Sequence, residues 1–368
     1  MKFRAWALLL LLLPPAGRVA AEAKVRSGLL STDFDGDVSG ARSIGMGETG
    51  AAVSGSPESP IWNPAALHDL TSPTFSADFD VARVSPVSGD LLTANSPLRG
   101  RKLTYLGFAA SDAAFFYRPL ANFNQRTVTD AADPDNNFIE NDLRVIQFGL
   151  SAASEMSKGA DVGINLTYLD AQRALATATA TAGRPPSVEL ADGHGITMGE
   201  GLRDRTENAA LGVAFFNLPG LIYWNRYRTD QLPIIMKAGA AFYPVPLFGL
   251  VGDYEKRFYR GGLPQQGSTH LGVEITVLPW LQLRGGTFGK NLNDSKTVSF
   301  TAGLSAFASK GYRLDFAVRK YTFQEEKVYN YFLSILLPLP EGDKIGRGSP
   351  SSSPSPAQFQ GKDVNEYR

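Results

Sequence analysis

Residues 41–67, ARSIGMGETGAAVSGSPESPIWNPAAL, hold Gly45, Gly47 and Gly50 in the spacing G-x-G-x-x-G. That spacing is the pattern of a loop that cradles a dinucleotide phosphate. The chemistry needs a buried strand before the loop, a helix after it and an acidic residue about 20 positions on. The preceding stretch, DFDGDVSGARSI, is polar and glycine-rich, and Gly55, Pro57 and Pro60 interrupt any helix that would follow. Asp69 stands near the acidic position, but without the two elements the phosphate reading fails. Asp33, Asp35 and Asp37 alternate as in a calcium loop, yet the glycine is misplaced and the twelfth position is Ile44 instead of Glu. His68, His194 and His270 are dispersed and form no ligand pair. Ser151, in GLSAA, lacks the closing glycine of a nucleophile elbow. No enzyme, cofactor or metal site is expected, so the glycines need another purpose.

The elements around them narrow that purpose. Lys2 and Arg4 precede an apolar run, Ala5 to Leu13, followed by Pro14, Pro15 and the small-residue segment AGRVAAEA. Residues 1–23 therefore read as a secretory signal peptide with cleavage after Ala21 or Ala23. The run is too short to span a bilayer, which needs roughly 20 residues. Beyond it, Gly, Pro, Asn or a charge breaks every apolar stretch within about ten residues, so no transmembrane helix is expected. The chain has 36 basic and 36 acidic residues, a balance that argues against a nucleic-acid partner. It has no cysteine, which removes disulfides and thiolate metal sites.

From Thr71 to Pro338 the sequence alternates with period two in segments separated by turn signals. In YRLDFAVR, Tyr312, Leu314, Phe316 and Val318 oppose Arg313, Asp315, Ala317 and Arg319. In LGVEITV, Leu271, Val273, Ile275 and Val277 oppose Gly272, Glu274 and Thr276. The pattern reads as about fourteen strands, including 206–217 and 221–229 on either side of a tight LPG link; losing that pair would leave twelve. Residues 172–205 read as a long surface loop. Tight links alternating with longer ones are the signature of an antiparallel transmembrane β-barrel of the outer-membrane kind, which satisfies every backbone group without a long apolar run. Aromatic girdles are expected from Tyr227, Phe258, Tyr259, Tyr321 and Phe323 on the long-loop side, and from Tyr223, Phe242, Tyr243, Trp280 and Tyr312 on the short-turn side.

GARSIGMGETGAAVSGSPESPIWNPAAL resembles the N-terminal signature shared by the FadL-type outer-membrane transporters and the PorV family. VGINLTYL, ALGVAFFNL, KAGAAFYP, LVGDYEK, HLGVEITVLPWLQLRGG, FTAGLSA and YRLDFAV are similar, in order, to the PorV-like strand pattern. The resemblance covers nearly all of residues 40–338. It implies an all-β, fourteen-stranded barrel at residues 71–338 of the bacterial outer membrane, with residues 24–70 folded inside as a hatch. Physical argument agrees: a lumen of about sixteen strands is an open channel and one of about eight is filled by side chains, so fourteen needs a plug. Gly45, Gly47 and Gly50 would let its backbone press on the wall, and Asn63 before Pro64 would set its last turn.

Asp253, Glu255, Glu274, Arg284, Arg313, Asp315 and Arg319 fall on the strand faces opposite the apolar residues, where a lumen charge network could fasten the hatch. Residues 339–368, rich in Ser and Pro, read as a disordered periplasmic tail. The resemblance implies lipid contact and one of two roles. One is a FadL-like conduit binding small hydrophobic molecules; the other is a PorV-like accessory working with secretion components and exported proteins. A purely structural membrane protein is a third possibility.

Overall fold

The computed structural model describes residues 39–53, 55–84, 103–130, 132–133, 136–178, 187–259, 265–292, 298–307, 311–323 and 326–339. The signal peptide, the first part of the 24–70 segment and the tail from 340 onward lie outside the described residues. Three short turns come first: α1 (Ala41–Gly45), α2 (Ser59–Trp62) and a 3-10 turn (Pro64–Asp69). The strands follow as β1 (Thr74–Val84), β2 (Leu103–Ala109), β3 (Ala113–Val128), β4 (Phe138–Ser157), β5 (Ala160–Ala178), β6 (Ser187–Arg205) and β7 (Ala209–Trp224). After them come β8 (Asp230–Gln231), β9 (Ile234–Val245), β10 (Phe248–Phe258), β11 (Gln266–Leu278), β12 (Leu281–Gly289), β13 (Ser299–Phe307), β14 (Arg313–Phe323) and β15 (Glu326–Pro338).

Each long strand pairs antiparallel with its neighbours, and β1 meets β15 with Thr74 opposite Pro338, which closes the sheet. β8 has two residues and pairs only with Leu221 and Ile222 of β7; the other fourteen strands form the barrel wall. No described helix is long and apolar enough to cross a membrane. The wall crosses by strands, and its polarity is inverted relative to a soluble sheet. Leu314 and Phe316 are exposed on the outer face, while Asp315, Ala317 and Arg319 between and beside them are buried on the inner one. The same holds for Leu271 and Ile275 against Glu274.

Fourteen strands were expected, but two strand assignments within that count are corrected, and their effects cancel. Residues 172–205 are not a loop: β5 runs on to Ala178 and β6 fills 187–205. The inward positions of β6 are Ala191, Gly193, Gly195, Thr197, Gly199, Gly201 and Arg203. Glycine at alternate positions reads as a turn signal, yet here Gly193, Gly199 and Gly201 make room for neighbouring side chains. A Cβ on Gly193 would meet the Trp224 ring at 2.6 Å, and one on Gly199 the Phe216 ring at 2.8 Å. Conversely, 206–217 and 221–224 belong to one strand, β7, which passes through Leu218-Pro219-Gly220 with a shift of register against β6 between Thr197 and Gly199.

Three girdle expectations are also corrected. Phe242, Trp280 and Tyr312 are exposed near the short-turn end and Phe258 near the other. Tyr243 follows Phe242 directly, so it must take the opposite face, and it packs inward near Met46. Tyr227 is buried beside Trp224, and Tyr223 lies at the long-link end of β7, opposite to the side expected. Phe323's side chain lies outside the described residues.

Candidate functional site

Residues 39–70 lie within the barrel against its inner wall, and the contact is largely backbone on backbone. Three pairs of glycines face each other across neighbouring strands: Gly163 and Gly201, Gly212 and Gly239, Gly272 and Gly286. A Cβ on Gly212 would stand 1.9 Å from the Ala51 carbonyl oxygen, and one on Gly163 2.3 Å from the Ala65 nitrogen. From the other side Gly47, at φ +74°, fits a gap where a Cβ would meet the Leu271 oxygen at 2.3 Å. This is close approach of main chain to main chain, for which only glycine has the space.

The residues singled out in the sequence take distinct places on this interface. The Gly47 N–H donates to Thr301 Oγ1 at 2.9 Å, and that hydroxyl donates to the Gly45 carbonyl at 3.1 Å. The Gly50 and Ala51 amides donate to Asp253 Oδ2 at 2.6 and 2.8 Å. The glycine loop does hold an anion, but the anion is the protein's own carboxylate. Asn63 is fully buried: its Nδ2 donates to the Ala51 and Leu202 carbonyls, at 2.7 and 3.1 Å, and its Oδ1 accepts from the Ala65 amide at 3.0 Å. Pro64 follows as the first residue of the 3-10 turn, where its missing N–H costs nothing.

Asn63→Ala would strand three backbone groups, at about 1–3 kcal/mol for each one left unsatisfied. Amide exchange across residues 51–67 is expected to quicken by roughly tenfold or more, as the 1.4 kcal/mol per decade relation requires. Unchanged exchange would mean that Asn63 does not hold this segment.

The seven wall charges divide into four groups. Arg284 lies 2.6 Å from Glu274 and donates to Ser305 at 2.5 Å; Asp315, 3.6 Å away, accepts in turn from Arg313 at 3.0 Å. Arg42, on α1, joins this chain through Glu274 at 3.0 Å. Burial opposes the Arg42 charge and the Glu274 carboxylate outweighs it, so its pKa is raised. Arg319 reaches Glu48 of the inner segment at 2.8 Å. Asp253 serves Gly50 and Ala51 as described, and Glu255 lies between Lys237 at 3.1 Å and Arg257 at 2.7 Å.

Sequence reasoning missed the partners on the inner segment and several on the wall. Arg42 and Glu48 carry no periodic signal because α1 and its following turn are too short for one. Asp69 pairs with Arg203 at 2.5 Å and with Arg205, and Arg203 lies within the stretch read as a loop. His270 Nδ1 is 2.9 Å from the Gly47 carbonyl, a role visible only once β11 and the glycine loop are brought together. Among the described residues no group of three or more His, Asp or Glu side chains is placed to hold a metal.

Above the inner segment lies a pocket. Residues 225–233 fold in from the long-link side, where Tyr227 and Leu232 join an apolar cluster with Leu143, Leu169, Ile222 and Trp224. Between this cluster and Pro60–Ile61 is a space of about 740 Å³, open solvent included. Its apolar side is lined by Phe116, Leu120, Phe216 and Ile235, and its polar side includes Arg118, Gln147, Lys237 and Arg257. Beside it the wall is interrupted: β7 pairs with β9 only as far as Phe216, and Asn217 turns at φ +62° to donate from Nδ2 to the Pro233 carbonyl at 2.8 Å.

The fold has counterparts among solved structures. The Ralstonia pickettii toluene transporter TbuX superposes with a TM-score of 0.61 at 18% identity, over 83% of this chain and 100% of that one. The CymD monoaromatic hydrocarbon channel matches with a TM-score of 0.60 at 14% identity, over 82% of this chain and 97% of that one. The P. putida toluene transporter TodX matches with a TM-score of 0.60 at 13% identity, over 84% of this chain and 100% of that one. The fold is shared with these barrels. No family model and no curated protein matches the sequence, and these identities speak for the architecture alone. None of the three singles out the PorV-like branch expected from the sequence.

Proposed function

We propose that this chain is a bacterial outer-membrane conduit for small hydrophobic molecules, with residues 39–70 as its plug. The observation that carries the reading is the pocket enclosed between the plug and the inward-folded 225–233 segment. Its lining sets Phe116, Leu120, Phe216 and Ile235 against Arg118, Gln147, Lys237 and Arg257, apolar surface with placed polar groups of the kind small-molecule sites use. The apolar outer wall suits a bilayer, and the similar structures are named as toluene transporters and a monoaromatic hydrocarbon channel. The polar side of the pocket would suit a ligand with one polar end. No specific observation favours the PorV-like secretion role.

Uptake of labelled toluene and of a labelled medium-chain fatty acid, compared in cells with and without the protein, tests the reading. Faster uptake of either is expected. Ile235→Trp, which fills the pocket from β9, should reduce that gain at least fivefold with the amount of folded barrel unchanged. Equal uptake with and without the protein would refute the conduit, and loss of exported proteins from the surface would point to secretion.

A further inference from the structure

Among the described residues, two neighbouring buried carboxylates form no ion pair. Glu58, on the plug, is 2% exposed, and so is Asp78, on β1. Glu58 accepts hydrogen bonds from the Ser56 and Ser76 hydroxyls and has no ion pair. Neither Asp78 oxygen makes a hydrogen bond of good geometry; the Ser334 hydroxyl and the Gly40 amide are the donors beside it.

The surroundings are built to a common centre. Across the β1 ladders, Asp78 stands opposite Ser334 on one side and Tyr105 on the other. The Tyr105 hydroxyl donates to the Pro57 carbonyl at 2.8 Å, directly before Glu58. Ser334 Oγ accepts from the Ala41 amide at 2.8 Å. Gly40, at φ +86°, leaves space for Glu58, whose Cγ would lie 3.4 Å from a Cβ there. Glu58 is the foremost charged neighbour of Asp78, and Asp315, the next, is already engaged by Arg313.

Two carboxylates in a dry site repel each other and lose their hydration, a cost that proteins meet with a counter-charge. The donor set on offer is all oxygen: two carboxylates, the hydroxyls of Ser56, Ser76 and Ser334, and nearby carbonyls. Hard divalent cations select such a set, and neutral oxygens complete their shell. We propose that Glu58 and Asp78 form a calcium site that ties the plug to β1. With only two carboxylates its affinity belongs with weak extracellular sites, at Kd of about 10⁻⁴–10⁻³ M. The bridge is independent of what the barrel conducts.

Tyr105 gives the site its own reporter, because a buried phenol next to a bound terbium ion sensitises its emission. Purified full-length protein in detergent is titrated with terbium, then with calcium as competitor. Saturable emission displaced by calcium in that range is expected. Glu58→Gln and Asp78→Asn should each weaken binding at least tenfold. Tyr105→Phe should dim the emission while leaving calcium affinity, measured by calorimetry, within about threefold. Heat-modifiable gel mobility of each variant shows that the barrel is intact. Calcium affinity equal to the parent protein in both carboxylate variants overturns the proposal. So does absence of binding in the parent protein together with a protonated-carboxyl infrared band that Asp78→Asn removes, since the pair would then share a proton instead.

Discussion

Gly286→Val is expected to free residues 45–53 from the wall while the barrel stays closed. A Cβ at Gly286 would lie 2.2 Å from the Gly47 nitrogen and 2.5 Å from the Met46 carbonyl carbon, and main-chain atoms cannot rotate aside. Overpacking against movable side chains costs about 1–3 kcal/mol, and a backbone obstacle puts this case at the upper end or above. Strand β12 itself gains from valine, whose branched side chain suits a pleated sheet, so the strain falls on the plug. The neighbouring Gly285→Val is the control, because a Cβ there finds only Val273 Cγ2 at 3.8 Å. Single-channel recording checks the pair. Gly286→Val should conduct and become protease-sensitive between Gly45 and Val53, and Gly285→Val should behave as the parent protein. A silent, resistant Gly286→Val would show that the plug is not held at this point.

Glu274→Ala should have an effect of similar size by a different route. It leaves Arg42 and Arg284 close together in a buried site without the carboxylate they share. Removing one member of a buried ion pair costs about 3–5 kcal/mol, most of it from the stranded charge. Because Arg42 is on α1 and Glu274 on β11, the loss is expected to lift α1 from the wall and raise conductance. Arg313→Ala should do much less, since Arg313 touches Asp315 and no residue of the plug is among its hydrogen-bond or ion-pair partners. A double-mutant cycle on Arg42 and Glu274 isolates their coupling; independence of the two substitutions would remove this pair from the account of how the plug is held.

The barrel was legible because the alternation of strands such as β14 and β11 is dictated by lipid outside and polar lumen inside. What escaped was wherever a local signal served a non-local purpose. The glycines of β6 looked like turn residues; their neighbours Trp224, Phe216 and Asn63 are 17 positions away at the least and 138 in the case of Asn63. The Leu218-Pro219-Gly220 sequence looked like a turn and lies within β7, where a register shift absorbs it. The inward positions of Asp253, Glu274 and Asp315 follow from strand parity, but their partners could not be paired in advance. Parity says which way a side chain points and nothing about what a folded-in segment will bring to meet it.

The unequal lengths of the strands bear on how a solute arrives. Strands β9 to β15 have 9–13 residues, close to the roughly 9–11 that a tilted strand needs to cross a bilayer, whereas β4, β5 and β6 have 19 or 20. The excess, about 25 Å of chain at ~3.3 Å per residue, stands on the long-link side. Outward positions there carry Asp142, Arg144, Gln172, Asp192 and His194, with Val188 and Leu190 toward the rim. Among the described residues the mouth is therefore tall along β4–β6 and low along β9–β15, with the Trp224 cluster on the inner surface of its tall side. For the conduit proposed above, the low side is where a greasy molecule dissolved at the membrane surface would slip over the lip without first being wetted on all sides.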